Sequence, residues 1–458
     1  MSTRRSLSPT PTESAVSATA DIVVAASVDP GREESSATLR KVTRAAFAGT
    51  VVEWFDFAVY GFMATYIADA YFGNTDGVTG LLQTFAIFAV AFAFRPLGGV
   101  FFGRLGDRLG RKSILSATVL LMTGATAAIA LIPTHATIGI WAPILLTIAR
   151  CLQGFSAGGE YAGATIYVVE HSPAESRARW SSAMPAATFA SFALAAGLGA
   201  LIGVIVGEDA MAAWGWRLLF LVAVPMGLVA FYIRRRLDES PEFVAMRNDQ
   251  NEQPHTGLAD TLRSQGGNML RLGSFVMLTA LSFYIFSTYM TTFLKVVVGM
   301  SGTAALVANL IALVAATAMA PIAGRVCDRV GRRRTMLFAA GTLAVLTVPS
   351  YALASTGVLA AAAVGQILMA VGAVTANVVT AVLLSEFFPT RVRYTSSAIS
   401  YNVTYAVFGG TAPYVATWLI SQTSNAYAPA VYVTVVAVLA GLATLFLIPE
   451  TAGKPLAR

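Results

Sequence analysis

Long apolar blocks separated by short polar connections run along almost the whole chain. Three of them are "LLQTFAIFAVAFAF" (81–94), "ILSATVLLMTGATAAIALI" (114–132) and "VYVTVVAVLAGLATLFLI" (431–448). A bilayer with a hydrocarbon core of about 30 Å accepts apolar helices of about 20 residues. The blocks are continuous and do not alternate at every second residue, so they predict membrane-spanning helices rather than the strands of a membrane barrel.

The blocks predict an all-α membrane protein with twelve spanning helices, which we number in chain order as spans 1 to 12. They cover residues 45–72, 80–102, 114–132, 139–170, 181–206, 215–233, 269–294, 303–323, 335–354, 357–387, 395–420 and 430–448. The first forty residues are rich in Ser, Thr, Ala and Glu and have no long apolar core behind a basic start. Such a segment predicts a disordered tail rather than a cleaved signal peptide.

Positive charge is confined to alternate connections between the spans. The chain has 31 Lys and Arg residues and a formal net charge of +7. Most of these bases lie in the two tails and the even-numbered connections, whereas the odd-numbered connections hold only Arg217 and Lys295, both at helix edges. Because Lys and Arg stay on the cytoplasmic side during insertion, we expect a multi-pass plasma-membrane protein with both termini in the cytoplasm. The charge therefore predicts sidedness in a lipid bilayer and no nucleic-acid partner.

Two motifs occur twice at matching places in the chain. "GRLGDRLGRK" (103–112) returns as "GRVCDRVGRR" (324–333), and "VEHSPAESR" (169–177) returns as "SEFFPTRVR" (385–393). Many transporters are built from two such repeats, with the solute site near the midplane between them. We expect a tail over 1–42, a six-helix half over 43–233, a cytoplasmic linker over 234–268, a second six-helix half over 269–448 and a short cytoplasmic tail over 449–458.

Five charged residues lie deep inside predicted spans of the first half, away from the span ends: Glu53, Asp56, Arg95, Arg150 and Glu160. A charge at the centre of a bilayer costs at least about 2.5 kcal/mol, and such groups usually line a solute or proton path. The alternative is internal ion pairing that only holds the helices together. The second half has no charge deep within a span, so we expect it to contribute shape rather than charge.

The first decamer resembles the loop signature G-x-x-x-D-R-x-G-R-R/K of the major facilitator superfamily. In addition, "VVEWFDFAVYGF" (51–62), "RPLGGVFFGRLGDRLGRK" (95–112) and "GIWAPILLTIARCLQGFSAGGEY" (139–161) resemble the metabolite:proton symporter family. That family includes bacterial proline/betaine and 2-oxoglutarate permeases. "FPTRVRY" and "PETAGKPL" favour the proline/betaine members, whereas "SFYIFSTYMTTFL" (282–294) and "YAVFGGTAPYVA" (405–416) favour the 2-oxoglutarate members.

Within this frame the deep residues divide into two groups. Glu53 and Asp56 lie three residues apart, hence roughly on one helix face, at a depth close to that of Arg95, and these three are the candidate proton-coupling residues. Arg150 and Gln153 stand in an R-x-x-Q-G motif that faces the cavity in the family, which implies solute binding. The candidate aromatic walls of the site are Trp54, Tyr60, Tyr284 and Tyr405. Glu160 is expected to pair with either arginine.

The repeated motifs predict a cytoplasmic gate. Arginine can pair with a carboxylate through two parallel hydrogen bonds, and an aspartate is stabilised at the positive N-terminus of a helix. Setting the topology would need only the basic residues, so the conserved spacing of acids and glycines within the two copies favours a latch that closes and opens. The candidate gating residues are Arg104, Asp107, Arg108, Arg111, Glu170 and Arg177 in the first half and Arg325, Asp328, Arg329, Glu386 and Arg393 in the second.

The function predicted from the sequence is proton-coupled import of a small carboxylate-bearing solute by alternating access. A proline- or betaine-like zwitterion is favoured over a dicarboxylate such as 2-oxoglutarate. The alternative is a proton-antiporting exporter, but such exporters typically carry G-x-x-x-G-P-x-x-G-G in span 5, where this chain has "SAMPAATFASFALAAGLGALIG". Neither a metal-ligand cluster nor a nucleophile motif indicates an enzyme. We expect no cofactor besides the coupling proton, and a functional monomer.

Overall fold

The computed structural model describes residues 30–73, 75–109, 111–158, 160–236 and 258–456. Helices account for almost all of this part of the chain, and no strand occurs in it. The arrangement follows from the sequence, because a segment surrounded by lipid must satisfy its backbone N–H and C=O groups within itself.

The helices of the first half coincide with the six predicted spans. Span 1 consists of Pro30–Phe62 and Ala64–Phe72, with a break at Met63, and span 2 is Gly77–Leu109. Span 3 is Arg111–Leu131, and span 4 consists of Trp141–Ser156 and Glu160–Glu170. Span 5 is Ala183–Val206, preceded by the short helix Arg177–Ser181, and span 6 is Trp216–Arg236. The short helices His135–Ile138 and Glu208–Ala210 lie in connections.

The second half repeats this arrangement. Span 7 begins as Leu258–Tyr284 and continues through the π-helical turn Ile285–Tyr289, Met290–Thr292 and the π-helical turn Phe293–Val297. Spans 8, 9 and 10 are Gly302–Val330, Arg332–Ala354 and Leu359–Glu386. Span 11 consists of Thr390–Thr404, the π-helical segment Tyr405–Gly410 and Ala412–Thr423, and span 12 is Ala428–Leu447.

Eight of these spans are long and apolar enough to cross a membrane by length and composition alone, counted over the described residues. They are spans 2, 5 to 10 and 12. The other four differ for visible reasons: spans 1, 4 and 11 are interrupted and carry charged residues, and the apolar part of span 3 is short, Ser116–Leu131. The interrupted spans are those that carry Asp56, Arg150 and Tyr405, which are all candidate site residues.

Two of the predicted boundaries lie farthest from the observed helix ends. The first helix begins at Pro30, inside the predicted tail, and span 7 begins at Leu258, inside the predicted linker. Hydropathy locates only the part of a helix that lies in lipid, whereas backbone hydrogen bonding continues into the polar flank. Residues 1–29 of the tail and 237–257 of the linker lie outside the described residues.

Glycines bring spans 2 and 4 into backbone contact. A β-carbon at Gly98 would lie 1.7 Å from the carbonyl oxygen of Phe155, and one at Gly154 would lie 1.9 Å from that of Ala91. No larger residue fits at either position, and small residues permit this kind of approach between membrane helices. The contact fixes span 2, which carries Arg95, against span 4, which carries Arg150.

The two halves face each other along several spans. Span 5 packs on span 8, and span 2 packs on span 11. The halves also contact through buried rings near the middle, where Trp54 lies 5.7 Å from Phe283 and Phe92 lies 5.3 Å from Tyr284, measured between ring centroids. The candidate solute-binding residues lie beside this contact.

Candidate functional site

Arg150 is fully buried in the first half, and aromatic rings cover its guanidinium. The guanidinium carbon lies 4.0 Å from the centre of the Tyr60 ring and 5.3 Å from the centres of the Phe57 and Phe88 rings. Of its three nitrogens, Nη1 donates to Oε1 of Gln153 at 2.8 Å, whereas Nε and Nη2 have no hydrogen-bond partner among the described residues. Burying the donors of a charged group without acceptors has a free-energy penalty, and a bound anion would relieve that penalty. This guanidinium is therefore a candidate anion-binding group.

A chain of hydrogen bonds connects Arg150 to Asp56. Gln153 accepts from Arg150 and donates through Nε2 to Oγ1 of Thr126 at 2.7 Å, and Thr126 donates to Oδ2 of Asp56 at 2.7 Å. All four side chains are buried. This hydrogen-bonded chain therefore has the guanidinium of Arg150 at one end and the carboxylate of Asp56 at the other.

Arg95 has a different environment from Arg150. Its Nη2 lies 3.4 Å from Oε1 of Glu53, and its guanidinium lies between 5.0 and 5.3 Å from the ring centres of Trp54, Phe57 and Phe92. Nε and Nη1 of Arg95 have no hydrogen-bond partner among the described residues. The structure thus separates the predicted trio: Glu53 accompanies Arg95, whereas Asp56 belongs to the chain that leads to Arg150.

The three deep carboxylates of the first half line one small cavity. Glu53, Asp56 and Glu160 contribute to its wall together with residues of spans 3 and 6, among them Thr118, Thr123, Met226 and Gly227. Glu160 is the first residue of the second helix of span 4, immediately after the interruption. Three acidic side chains around one cavity, two of them buried and Glu160 partly exposed, form an arrangement that can hold or pass a proton.

The aromatic residues predicted to wall the site form one cluster between the halves. Tyr284 of the second half lies 5.5 Å from Phe88 of the first and 6.4 Å from Tyr405, and Tyr405 stacks on Tyr401 at 4.1 Å. The hydroxyl of Tyr405 donates to Asn377, whereas the hydroxyl of Tyr284 and Nε1 of Trp54 have no partner in the described part of the chain. Two polar atoms aimed at no acceptor in a ring-lined contact indicate where a polar solute can bind.

A charged network joins the halves at the end that carries the decamers, which we call the basic end. Asp328 of the second decamer accepts from the backbone N–H groups of Ala178 and Arg179 at 3.0 and 2.8 Å, at the start of the helix that leads into span 5. The two Glu-Pro-Arg motifs pair reciprocally across the halves. Arg393 donates to Glu170, and Arg177 Nη1 lies 3.7 Å from Glu386 Oε1.

Arg332 lies at the centre of the network and was not among the predicted gating residues. It bonds Asp328 at 3.0 Å and binds both carboxylate oxygens of Glu386, at 3.0 and 3.1 Å. Arg325 and Arg329, which were predicted to take part, are exposed. The side chains of Arg104, Asp107, Arg108 and Arg111 lie outside the described part of the structure, so their predicted role stays a prediction.

The C-terminal residues complete the basic end. Glu450 accepts from the backbone N–H groups of Arg332 and Arg333 at 2.9 and 3.1 Å, at the N-terminus of span 9. The carbonyl of Lys454 accepts from Arg177 of the first half at 2.8 Å. The segment "PETAGKPL" thus contacts both halves.

The halves also meet at the opposite end. Oε1 of Glu208, in the first half, accepts from the backbone N–H of Thr303 at 2.9 Å, at the start of span 8. Lys295 of the second half donates to Thr65 at 2.9 Å, and its ammonium lies 3.4 Å from the centre of the Tyr66 ring. Contacts at both ends and in the middle hold the two halves together along the whole bundle.

Comparison with known proteins identifies the family. The family described as "Sugar (and other) transporter" matches residues 41–269 and 261–458, one match for each half. The chain belongs to this transporter family. The two matches confirm the predicted duplication, and a family of transporters agrees with the expectation that the chain is not an enzyme.

Curated relatives of this transporter are substantially similar over most of their length. It is 37% identical over 437 residues to the glycine betaine/proline/ectoine/pipecolic acid transporter OusA of Dickeya dadantii, covering 94% of this chain and 86% of that one. It is 38% identical over 427 residues to the proline/betaine transporter of Escherichia coli K12, covering 91% and 85%. A putative proline/betaine transporter of Staphylococcus aureus is 34% identical over 423 residues.

Solved structures confirm the fold of the transporter. The proton:xylose symporter XylE, a major facilitator superfamily protein, matches with a TM-score of 0.72 at 19% identity, over 92% of this chain and 98% of that one. A crystal structure of a D-xylose–proton symporter gives a TM-score of 0.71 at 20% identity. The major facilitator fold with two helical halves, expected above from sequence motifs, is therefore confirmed.

Three residues of the site and of the basic end were not predicted from the sequence. Thr126 is one of several threonines in an apolar span, and nothing in its neighbourhood distinguishes it. Phe57, whose ring lies against both deep arginines, stands in the "EWFDF" motif but was not singled out. Arg332 had a usable signal, because it is the repeat copy of Arg111, which was selected.

Proposed function

We propose that this transporter imports a small zwitterion of the proline or betaine type together with a proton. The observation that carries the proposal is Arg150, which is buried among three aromatic rings and has two nitrogens without an acceptor among the residues that the structure describes. A solute carboxylate satisfies both of them through the planar geometry in which guanidinium binds carboxylate. The curated relatives, named for proline and betaine, support the same solute class.

The cationic end of the zwitterion fits the aromatic contact between the halves. Quaternary and substituted ammonium groups bind over the faces of aromatic rings, and tryptophan is the strongest partner. Trp54, Tyr284 and Tyr405 surround this contact, and the first two each have a polar atom available for the solute. The first half then supplies the charge for the carboxylate, and both halves supply rings for the ammonium.

A dicarboxylate is the second candidate, and Arg95 is the observation that favours it. Arg95 also has two nitrogens without a partner among the described residues, so two arginines are available for two carboxylates. However, Arg95 already lies 3.4 Å from Glu53. The zwitterion is the better match because it needs only the arginine that has no carboxylate in contact.

Proton coupling is assigned to the deep carboxylates. Asp56 ends the hydrogen-bonded chain from Arg150 and lines a cavity with Glu53 and Glu160. Within the first half, a proton at this site and a solute carboxylate at Arg150 bring opposite charges, which makes their joint binding there less costly than the binding of either charge alone. The ammonium of the solute lies apart from them, over the rings between the halves. No cofactor besides the proton is needed.

Transport would proceed by alternating access between two closed ends. The ion pairs of the basic end and the contacts of Glu208 and Lys295 at the opposite end would break in turn, while the solute stays between the halves. We place the basic end in the cytoplasm, with both termini, because of the distribution of Lys and Arg in the connections. The working unit is a monomer in the plasma membrane, since the site is formed within one chain.

Uptake into proteoliposomes tests the proposal. Radiolabelled glycine betaine and proline should accumulate when the lumen is alkaline relative to the outside, and a protonophore should abolish the accumulation. An excess of unlabelled 2-oxoglutarate should compete poorly. Strong competition by 2-oxoglutarate would favour the dicarboxylate, uptake indifferent to the proton gradient would favour a uniporter, and accumulation driven by an outward proton gradient would indicate an exporter.

A further inference from the structure

Thr126 stands between the two ends of the hydrogen-bonded chain in the first half. We propose that Thr126 is the positioning residue through which protonation of Asp56 controls the readiness of Arg150 to bind the solute carboxylate. The inference rests on the proposed function and adds a residue to which neither the sequence motifs nor the family resemblance points. Three hydrogen bonds with a fixed direction, and a fourth that Thr126 can make, connect the two groups.

The direction of the hydrogen bonds follows from what each group can do. A guanidinium has no acceptor, so the side-chain oxygen of Gln153 must face Arg150 and its amide nitrogen must face Thr126. The hydroxyl of Thr126 accepts from Gln153 and is left to donate, and an ionised Asp56 can only accept. Every bond in the chain therefore runs from Arg150 towards Asp56.

Thr126 has a second acceptor within reach. Its oxygen lies 2.7 Å from Oδ2 of Asp56 and 2.9 Å from the carbonyl oxygen of Met122, one turn earlier in span 3. A hydroxyl carries one proton and can donate to only one of the two. When Asp56 is ionised, the hydroxyl donates to it. When Asp56 is protonated, Asp56 donates to Thr126, and the hydroxyl turns to the Met122 carbonyl. Thr126 and Asp56 thus stay hydrogen-bonded in both states, and only the bond to the Met122 carbonyl differs between them.

The rearrangement changes the electrostatic balance at Arg150. With Asp56 ionised, the ordered chain connects a cation to an anion, and aligned hydrogen bonds polarise one another in a medium of low dielectric. With Asp56 protonated, the anion is gone and the guanidinium keeps two donors without an acceptor. A solute carboxylate then supplies both the missing charge and the missing acceptors. Proton and solute therefore favour each other's binding, and the effect is reciprocal.

The other charged groups around Asp56 do not replace this connection. Glu53 on the same helix and Glu160 of span 4 line the cavity with Asp56, and Arg95 of span 2 lies against Glu53. The described residues of spans 3 and 6 that line the cavity include no titratable side chain. Thr126 is the group that bonds Asp56 and the amide held by Arg150 at once.

The repeat supplies a matched control position. The offset that relates the two decamers also relates Thr126 to Thr347, and Met122 to Leu343. Both threonines are fully buried. Thr347 donates to the Leu343 carbonyl at 2.6 Å, which is the counterpart of the Thr126–Met122 contact, but none of its hydrogen bonds in the described structure reaches a carboxylate or an amide side chain. Replacing Thr347 with valine therefore removes a buried hydroxyl but leaves the hydrogen bonds between Arg150 and Asp56 unchanged.

The experiment compares Thr126→Val, Thr126→Ser and Thr347→Val in proteoliposomes loaded with the full-length protein. Two rates are measured for labelled glycine betaine: accumulation driven by an inward proton gradient, and exchange against internal unlabelled betaine without a gradient. We expect the ratio of accumulation to exchange to fall about tenfold in Thr126→Val, since a hydrogen bond to a charged group is lost. The ratio should stay within about twofold of wild type in Thr347→Val and Thr126→Ser, because Ser restores the hydroxyl.

The outcomes separate this inference from the proposed function. A wild-type protein without proton-driven accumulation would overturn the proposed function and the inference with it. Proton-driven wild-type uptake with an equal ratio in Thr126→Val and Thr347→Val would overturn the inference alone. If Thr126→Val does not fold, Thr126→Ala removes the hydroxyl with a different volume and is judged by the same ratio. Failure of Thr126→Ser to restore the ratio would also overturn the inference.

Discussion

Equivalent positions in the two halves carry opposite chemistry around spans 4 and 10. The offset between the two Glu-Pro-Arg motifs relates Arg150 to Gln366, and the offset between the decamers relates Phe88 to Asn309. In the first half the arginine lies against the phenylalanine and has two nitrogens without an acceptor in the described part of the chain. In the second half the two amides bond each other, with 2.7 Å between Asn309 Nδ2 and Gln366 Oε1.

The difference extends to the neighbouring positions. Gln153, which continues the chain towards Asp56, has Met369 as its repeat copy, and Met369 is buried among apolar residues. The second half thus keeps the fold of the first but holds a neutral amide pair where the first holds a charge. The comparison teaches that the repeat preserves helix packing, whereas the buried arginine and its hydrogen-bonded partners, in the part of the chain that the structure describes, occur at these positions in the first half only.

The contrast between the two halves would be wrong if Arg150 and its repeat copy Gln366 contributed equally to solute binding. We expect Arg150→Ala to weaken glycine betaine binding at least about a hundredfold, because the solute carboxylate would be buried without a cation. Arg150→Lys should weaken it less, since the charge stays but the planar fork is lost. Gln366→Ala, the matched control, should leave affinity within a few fold. Calorimetry on purified protein measures these affinities, after thermal unfolding has shown that each variant is folded.

An unchanged affinity in well-folded Arg150→Ala protein would remove Arg150 from the solute site. Arg95 would then become the candidate partner of the solute carboxylate, because it also has two nitrogens without a partner among the described residues. A large loss in Gln366→Ala would instead show that the amide pair of the second half takes part in binding.

The two Glu-Pro-Arg motifs sharpen the comparison at the basic end. Glu170 and Glu386 are repeat copies that differ in burial. The side chain of Glu386 is only 2% exposed and forms ion pairs with Arg332 and Arg177, whereas the side chain of Glu170 is 35% exposed. Removing one partner of a buried ion pair costs about 3–5 kcal/mol, and an exposed pair contributes about 1 kcal/mol or less. Glu386→Gln should therefore open the basic end far more than Glu170→Gln.

Distances between spin labels at the basic end of the two halves measure this prediction. We expect the distribution for Glu386→Gln to shift towards long distances, with a lower unfolding temperature, and the distribution for Glu170→Gln to stay close to wild type. Equal shifts in the two variants would mean that burial does not distinguish the copies. No shift in either would count against the ion pairs as a latch.

The sequence was sufficient for the architecture because lipid leaves few alternatives. Apolar blocks of helical length, alternate basic connections and two duplicated motifs predicted the twelve spans and two halves, and the family and fold comparisons confirm the class. The interrupted spans were predicted as continuous helices. Their breaks, such as the one between Ser156 and Glu160, reflect tertiary contacts that hydropathy does not register.

The site was only partly predictable for a related reason. A charged residue in an apolar span is conspicuous in the sequence, so Glu53, Asp56, Arg95 and Arg150 were selected as candidate site residues. Their pairing was not, because depth along a helix does not give the direction of a side chain: Asp56 was grouped with Arg95 but is bonded to Thr126. Threonine is common in apolar helices, so Thr126 becomes visible only when spans 1, 3 and 4 are brought together.

Glu450 gives the smallest expected effect and tests whether the C-terminal segment stabilises the second half. Burial raises the pKa of the Glu450 carboxyl, but donation from four backbone N–H groups, those of Ala452, Arg332, Arg333 and Thr451, outweighs it and leaves the pKa below its ordinary value. A carboxylate at the N-terminus of a helix contributes about 0.3–1 kcal/mol. Because the pKa is lower in the folded state, this stability is present above the unfolded pKa of about 4.3 and is lost as pH falls through the folded value. Glu450→Gln should therefore lower the unfolding temperature slightly at pH 7. The difference from wild type should shrink on acidification below the unfolded pKa of about 4.3 and vanish below the folded pKa. Thermal unfolding of both proteins across this range measures it, and a difference that persists or grows at acid pH would show that the carboxylate charge is not what Glu450 contributes.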